Sequence, residues 1–382
     1  MSRVAQTLRT LAWPVAAAAL LALAGCSLWG GSSKTRPAEL GPVVALLPVH
    51  QVWSTGIGAV GDLSLTPAVH GDTVALASAG GDVSALDART GATLWRAQLD
   101  TPLVAGVGSD GQRAAVVSKA RQLIVLENGR ELWRARLAAQ AYTAPLVAGG
   151  RVFVLLADRS VLAFDGETGA RLWAQQRPGE PLVLREGGLL TAVGDTLVVG
   201  WSGRIAGLDP DSGTVGWEAP LATPRGTNDV ERLVEILGRV SRVGTNVCAR
   251  AFQATIGCID ASRGAVLWTR AAQGAVGIDG DAEMLYGSES NGTVLAWKRA
   301  DGTPVWTHDA LRYRKLTAPL LLGRSVIVGD ASGQVHLLSR EDGTPLNRLT
   351  TDSSGVVAAP VVAGKTLVAV TRQGSVYGFR PD

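Results

Sequence analysis

The sequence predicts an all-β fold, an eight-bladed β-propeller of tryptophan-docking repeats closed by a strand from the N-terminal part of the chain. Three observations predict it. A D-x-x-x-G-x-x-x-W pattern recurs at intervals of about 40 residues. Glycine supplies 47 of 382 residues, about twice the usual share, which turns require and helices tolerate poorly. The last set of strand-like runs, from Pro360 to Phe379, lacks a fourth member, and the run from Val49 to Ser54 can supply it.

Residues 1–25 read as a secretory leader rather than as part of the fold. Arg3 and Arg9 give a positive start, Leu11 to Leu23 an apolar run, and Ala24-Gly25 the small residues before a cleavage site. That run is too short to span a bilayer. The tetrapeptide Leu23-Ala-Gly-Cys26 looks like the lipobox of bacterial lipoproteins, which marks Cys26 as the lipid attachment site. Several acyl chains, at about 0.8 kcal/mol per buried CH₂, hold a protein on a membrane where one chain would be marginal. Ser27 rather than Asp follows Cys26, which by the general lipoprotein sorting pattern suggests the periplasmic face of the outer membrane. Residues 26–44 read as a lipidated tether, and 45–382 as the propeller.

The repeat is anchored by Trp53, Trp95, Trp133, Trp173, Trp217, Trp268 and Trp306, at intervals of 42, 38, 40, 44, 51 and 38 residues. Six of them follow a glycine by four: Gly91, Gly129, Gly169, Gly213, Gly264 and Gly302. Asp87, Asp165, Asp209 and Asp260 stand four residues before four of those glycines. An eighth position has Gly343 with Asn347 in place of Trp. The third repeat shows the grammar: Pro145-Leu-Val-Ala, a Gly149-Gly150 turn, Val152 to Ala157, an Asp158-Arg159 turn, Val161 to Asp165, Thr168-Gly169, then Leu172-Trp173. These are four short β-rich runs between turn signals. The Asp carboxylate can accept backbone N–H groups across its turn while Gly takes the φ > 0 position. The Trp, on the last strand, can lie flat against the neighbouring unit. Repeated radially, such units make a propeller.

Cys248 and Cys258 stand ten residues apart, a spacing that suits opposite strands of a hairpin centred near Gln253. In an oxidising compartment a disulfide is expected there, the alternative being two small buried thiols. No C-x-x-C occurs and the four histidines (50, 70, 308, 336) are scattered, so no metal site is expected.

Composition excludes several classes. With 46% hydrophobic and 18% charged residues the chain is not disordered. Its formal charge is +3, or +1 once the leader removes Arg3 and Arg9, with no dense basic cluster, so nucleic acid is not an expected partner. Gly56-Ile-Gly-Ala-Val-Gly61 matches G-x-G-x-x-G but leads into a strand, and a dinucleotide site needs a helix. Asp209-Pro-Asp-Ser-Gly213 hints at calcium spacing but lies in the repeat turn and lacks the distal Glu. No P-loop, nucleophile elbow or HExxH is present.

The repeats resemble the tryptophan-docking motif of quinoprotein-like propellers. With the lipobox, they resemble in particular the BamB family, lipoprotein subunits of the outer-membrane β-barrel assembly machinery. The resemblance covers essentially all of 26–382. Its more specific segments are Pro181-Leu-Val-Leu-Arg185, Arg225-Gly-Thr-Asn-Asp-Val-Glu-Arg-Leu233, Leu316-Thr-Ala-Pro319 and Asp352-Ser-Ser-Gly355. It implies a non-catalytic scaffold without a cofactor, whose partners are the barrel-forming protein BamA and the assembly complex. In the family a leucine-bearing loop with an Arg docks BamA, and an acidic loop of the next blade assists. By position the first is Leu182, Leu184 and Arg185. The second falls in the 51-residue interval, where Glu235 matches one acidic position and Leu237 stands at the other. Exposed Leu beside Arg is also, by itself, the composition of a contact hot spot. The alternative is that 181–184 form an inner strand, as Pro145-Leu-Val do one repeat earlier. The rival functions are a PQQ-dependent dehydrogenase, whose adjacent cysteines and calcium-binding acid cluster find no match here, and another periplasmic ligand-binding propeller.

Overall fold

Short apolar runs separated by turns pair with their neighbours, four strands at a time. The computed structural model describes residues 35–43, 45–177, 183–185, 187–224, 227–228 and 233–381. The chain divides into two units, 1–37 and 38–382. Of the first only 35–37 are described, as irregular backbone, so Cys26 and the leader lie outside the described residues.

The second unit forms eight sheets, blades 1 to 8, whose antiparallel strands span 68–98, 103–136, 146–175, 190–220, 241–271, 278–308, 320–350 and 361–381. Among these strands the first of each blade lies nearest the axis and the fourth outermost, and on the inner edge of blade 2 the short strand Ser64–Leu65 pairs in parallel with Leu103–Ser109. Among the described residues there is no helix. Blade 8 has three strands of its own. Its fourth is Val49–Gly56, antiparallel to Ser375–Pro381, with Val49 opposite Pro381 and Gly56 opposite Ser375. The ring closes as the sequence predicts, so no blade is left short of its outer strand.

The blades stack face to face, which explains the burial pattern. The two middle strands of blade 1, Thr73–Ala77 and Asp82–Asp87, are covered on both faces and read as continuous apolar runs. The outer strand Thr93–Gln98 is covered on one face only and alternates. Each outer strand carries one bulged residue, always the one before the docking position: Val52, Leu94, Leu132, Leu172, Gly216, Leu267, Val305 and Leu346. The extra residue re-aims the side chain that follows it.

That side chain crosses to the next blade. Trp53, Trp95, Trp133, Trp173, Trp217, Trp268 and Trp306 lie against Gly91, Gly129, Gly169, Gly213, Gly264, Gly302 and Gly343 respectively, where an added Cβ would come within 2.4–3.2 Å of the indole. These glycines all have φ between +67° and +76°. Each therefore meets two demands at once, a left-handed backbone and the absence of a side chain under a flat ring. For five of the Trp residues the indole N–H also donates to a carbonyl of the next blade, at 2.8–3.1 Å. The motif Asp organises the turn that receives the ring: Asp165 accepts the amides of Glu167 and Thr168, and Asp209 those of Asp211 and Ser212. These bonds hold both carboxyls below the usual carboxylate range. The side-chain and backbone bonds from Ser262 do the same at Asp260, lowered to about 2.

The folded unit takes in the chain from Ala38, seven residues before the boundary read from sequence. The Ala38 amide donates to the Arg312 carbonyl, Arg348 to the Gly41 carbonyl, and the Leu46 amide to the Leu346 carbonyl, at 2.8–2.9 Å. Leu40 and Leu47 pack against blades 6 to 8. Cys248 and Cys258 face each other on adjacent strands of blade 5 and are joined by a disulfide, with Gln253 at φ +47° in the intervening turn.

Candidate docking site

In this topology the connections from one blade's outer strand to the next blade's inner strand emerge on one face of the ring, together with the turns between middle strands. The opposite face carries the D-x-x-x-G turns. Residues 183–185 and 233–240 belong to two such connections, flanking blade 4. The inner strand of that blade is Leu190–Val193, so 183–185 lie outside the sheets, and the strand alternative for this segment does not hold for its described part.

The two connections are pinned to each other. Gly188 and Leu237 form an isolated antiparallel bridge, and the Gly238 amide donates to the Gly187 carbonyl at 2.7 Å. The Gly188 amide donates to Thr143 Oγ1 at 2.8 Å, and a Cβ at Gly188 would stand 3.0 Å from that oxygen. Small residues are needed where three chain segments approach this closely.

A cleft forms over this junction, lined by Tyr142, Arg159, Leu184, Trp201 and Glu235 among others. Leu184 is half-buried in it, whereas Arg185 is exposed, its guanidinium 5.9 Å from the centre of the Tyr142 ring. The structure thus brings Leu184 and Glu235 together with Arg185 at their side. Leu182 lies outside the described residues.

Glu235 is not a free surface acid. Its Oε1 pairs with Arg159 Nη2 at 2.9 Å, and its Oε2 accepts the Ser202 amide at 3.3 Å. Burial pushes its carboxyl up, and the Arg159 guanidinium works against that shift. Arg159 is itself buried and sits at φ +65°.

Leu237, which stands at the family's second acidic position, is buried. It is 3% exposed, and its amide donates to the Arg250 carbonyl at 2.9 Å. Leu237 stands in the wall between the cleft and a second cavity along the axis, and a carboxylate at so buried a position would lose most of its hydration.

Tyr142, Arg159 and Trp201 escaped the sequence reading. Arg159 was visible only as half of an Asp158-Arg159 turn, and nothing in the local sequence signals that its charge reaches Glu235 from 76 positions away. Trp201 stands outside the repeat series, and its ring lies 5.8 Å from the Arg177 guanidinium. Among the described residues no three His, Cys, Asp or Glu stand together as metal ligands.

Comparison with known proteins adds the following. A family model described as outer membrane protein assembly factor BamB matches residues 79–308. The outer membrane protein assembly factor BamB of Burkholderia pseudomallei (strain K96243) is 39% identical over 378 residues, covering 98% of this chain and 99% of that protein. The protein of the same name from Bordetella pertussis (strain Tohama I) is 34% identical over 367 residues, covering 95% of each. The crystal structure of BamB from Moraxella catarrhalis superposes with a TM-score of 0.78 at 25% identity, covering 87% of this chain and 99% of that one. The quinohemoprotein alcohol dehydrogenase of Comamonas testosteroni superposes with a TM-score of 0.66 at 15% identity, covering 87% and 76%, and shares the fold alone.

Proposed function

The chain belongs to the BamB family of outer membrane protein assembly factors, and from that premise we propose that it is a non-catalytic scaffold lipoprotein of the outer-membrane β-barrel assembly complex. On this reading Cys26 carries the lipid that holds it at the periplasmic face of the outer membrane. The propeller binds BamA and so aids the insertion of outer-membrane proteins.

The observation that supports the docking role most is the placing of two consecutive residues outside the sheets, Leu184 half-buried in a cleft and Arg185 exposed beside it. An apolar anchor next to a charge that is free to pair is what a hot spot needs. Glu235 contributes by fixing Arg159 and thereby the floor of the cleft, rather than by meeting the partner directly.

A native pull-down from detergent-solubilised outer membranes tests the reading. Recovery of the barrel-forming subunit with the tagged chain is expected, and its absence would contradict the scaffold role. Cys26→Ala should move the protein to the soluble periplasmic fraction with its thermal melt unchanged.

A further inference from the structure

Leu184 and Arg185 are neighbours in the chain, yet they line different cavities. Leu184 lines the cleft described above, whereas Arg185 lines a depression of about 600 Å³ over the axis of the ring. Lys315 and Arg372 reach the same depression from the loops of blades 6 to 8, and the carboxylate lining it is that of Asp62. Among the described residues none of these three cations has an ion-pair partner. Arg185 stacks over Tyr142, and Arg372 donates to the Gly61 carbonyl at 3.3 Å.

Three cations near the mouth and along the axial channel are, by contrast, matched within the molecule. Arg159 pairs with Glu235, Arg314 with Asp330, and Arg239, deeper along the axis, with Asp279. Unmatched positive charges around a concave surface with low-dielectric walls focus a positive potential into it. The repulsion among them is relieved when an anion enters.

We propose that this axial mouth receives an acidic polypeptide segment of the partner that docks at the Leu184 cleft, a proposal that rests on the docking reading above. Three features favour a polypeptide. The depression is many times the size of a single anion, and its cations stand on three separate loops. The mouth also adjoins the cleft: Gly187 and Leu237 form a wall shared by the cleft and the axial channel, and Ser64, Leu65 and Val276 one shared by the channel and the mouth. An extended segment crossing these walls would cover Leu184 and reach Lys315.

The test uses the full chain carrying Cys26→Ala, with Lys315→Glu and Arg372→Glu singly and together, none of them in the cleft. Binding to the purified periplasmic domains of the barrel-forming partner is measured at about 50 and about 300 mM salt. A fluorescent decaglutamate peptide and phosphatidylglycerol vesicles serve as separate probes of the propeller alone. The double variant should bind the partner at least ~10-fold more weakly at low salt, with a flatter salt dependence, and should lose the decaglutamate peptide. Leu184→Ala should weaken the partner but leave decaglutamate binding intact.

Unchanged partner affinity and salt dependence in the double variant, with Leu184→Ala still impaired, would overturn the axial proposal and leave the docking reading standing. If Leu184→Ala and Arg185→Glu were also without effect, the docking reading itself would fall. Binding of the vesicles but not of the peptide through Lys315 and Arg372 would make the occupant a membrane and equally overturn the proposal. Should a Glu variant melt early, Lys315→Gln and Arg372→Gln carry the same test.

Discussion

The side-chain amide of Asn347 donates to the carbonyl of Leu47 at 2.7 Å, at the one repeat position where Trp is missing. The other seven positions dock an indole on the following blade. Here the chain that must be held is the N-terminal segment itself, just before Val49–Gly56 enters blade 8. A hydrogen bond to its backbone replaces a ring laid against a turn. Asn347→Ala would leave a half-buried carbonyl without this donor and should cost about 1 kcal/mol, read as a lower Tm. An unchanged melt would show that the segment is held by its other bonds.

Closure makes a stronger prediction. Removing residues 38–56 takes away the outer strand of blade 8 together with Trp53, exposes the edge of Ser375–Pro381 and uncovers the Gly91 turn of blade 1. Aggregation or loss of a single cooperative transition is expected, whereas removing only 27–37 should leave the melt as it is. A cooperative, parent-like melt after loss of 38–56 would contradict the closed ring.

The docking glycines can be tested against a control. Gly91 has φ +74°, and an added Cβ would stand 2.7 Å from the Trp53 ring, while Gly71 has φ +58° with nothing within 4 Å. Gly71→Ala meets backbone strain alone and should cost about 1 kcal/mol. Gly91→Ala adds a clash with the indole and should cost about 2 kcal/mol more, measured by urea unfolding. Equal losses at the two sites would mean that the indole yields freely.

Acid stability has a specific contributor in blade 7. Burial would raise the carboxyl of Asp330, but His336, the Gln334 amide, Arg314 and Ser332 together hold it far below the usual carboxylate range. A depressed carboxyl stabilises the fold above its unfolded pKa, near 3.9, and that stability is lost as pH falls toward the folded value. Asp330→Asn should therefore be less stable at pH 7 and show a shallower fall in Tm below about pH 4. A parallel fall in both proteins would remove Asp330 from the account.

Much of this architecture was legible in the sequence because it is repeated. One D-x-x-x-G-x-x-x-W means little, but copies in register fixed the blades, the outer strands and the closing run at 49–54. The pairing of Trp with the glycine of the following blade, not its own, was not legible, since sequence spacing places both in one repeat. The site was read from its loop composition and the family resemblance, with an inner strand over 181–184 left as the alternative, and it is the fold that puts Leu184 and Arg185 outside the sheets. Loop composition could not reveal that Glu235 is held by Arg159 or that Leu237 is core, because both depend on how the two connections beside blade 4 fold onto each other. Sequence places residues one after another, and the bridge between Gly188 and Leu237 decides which of them turn inward.

The burial of Leu237 carries a prediction of its own. Leu237→Asp would put a carboxylate at a position only 3% exposed and should destabilise the fold by about 3 kcal/mol or more. Thermal melts decide it. A variant with parental stability would mean that the side chain can turn outward.

The docking claim is tested most directly by the affinity of the Arg185→Glu variant for the purified periplasmic domains of the barrel-forming partner. Arg185 is exposed and makes no ion pair among the described residues, so the change should leave the melt unaltered. The account predicts a loss of about 2 kcal/mol or more in binding, some 30-fold in Kd, as expected where a hot-spot charge is reversed. A correctly folded Arg185→Glu protein that binds with the affinity of the parent at moderate salt would contradict it.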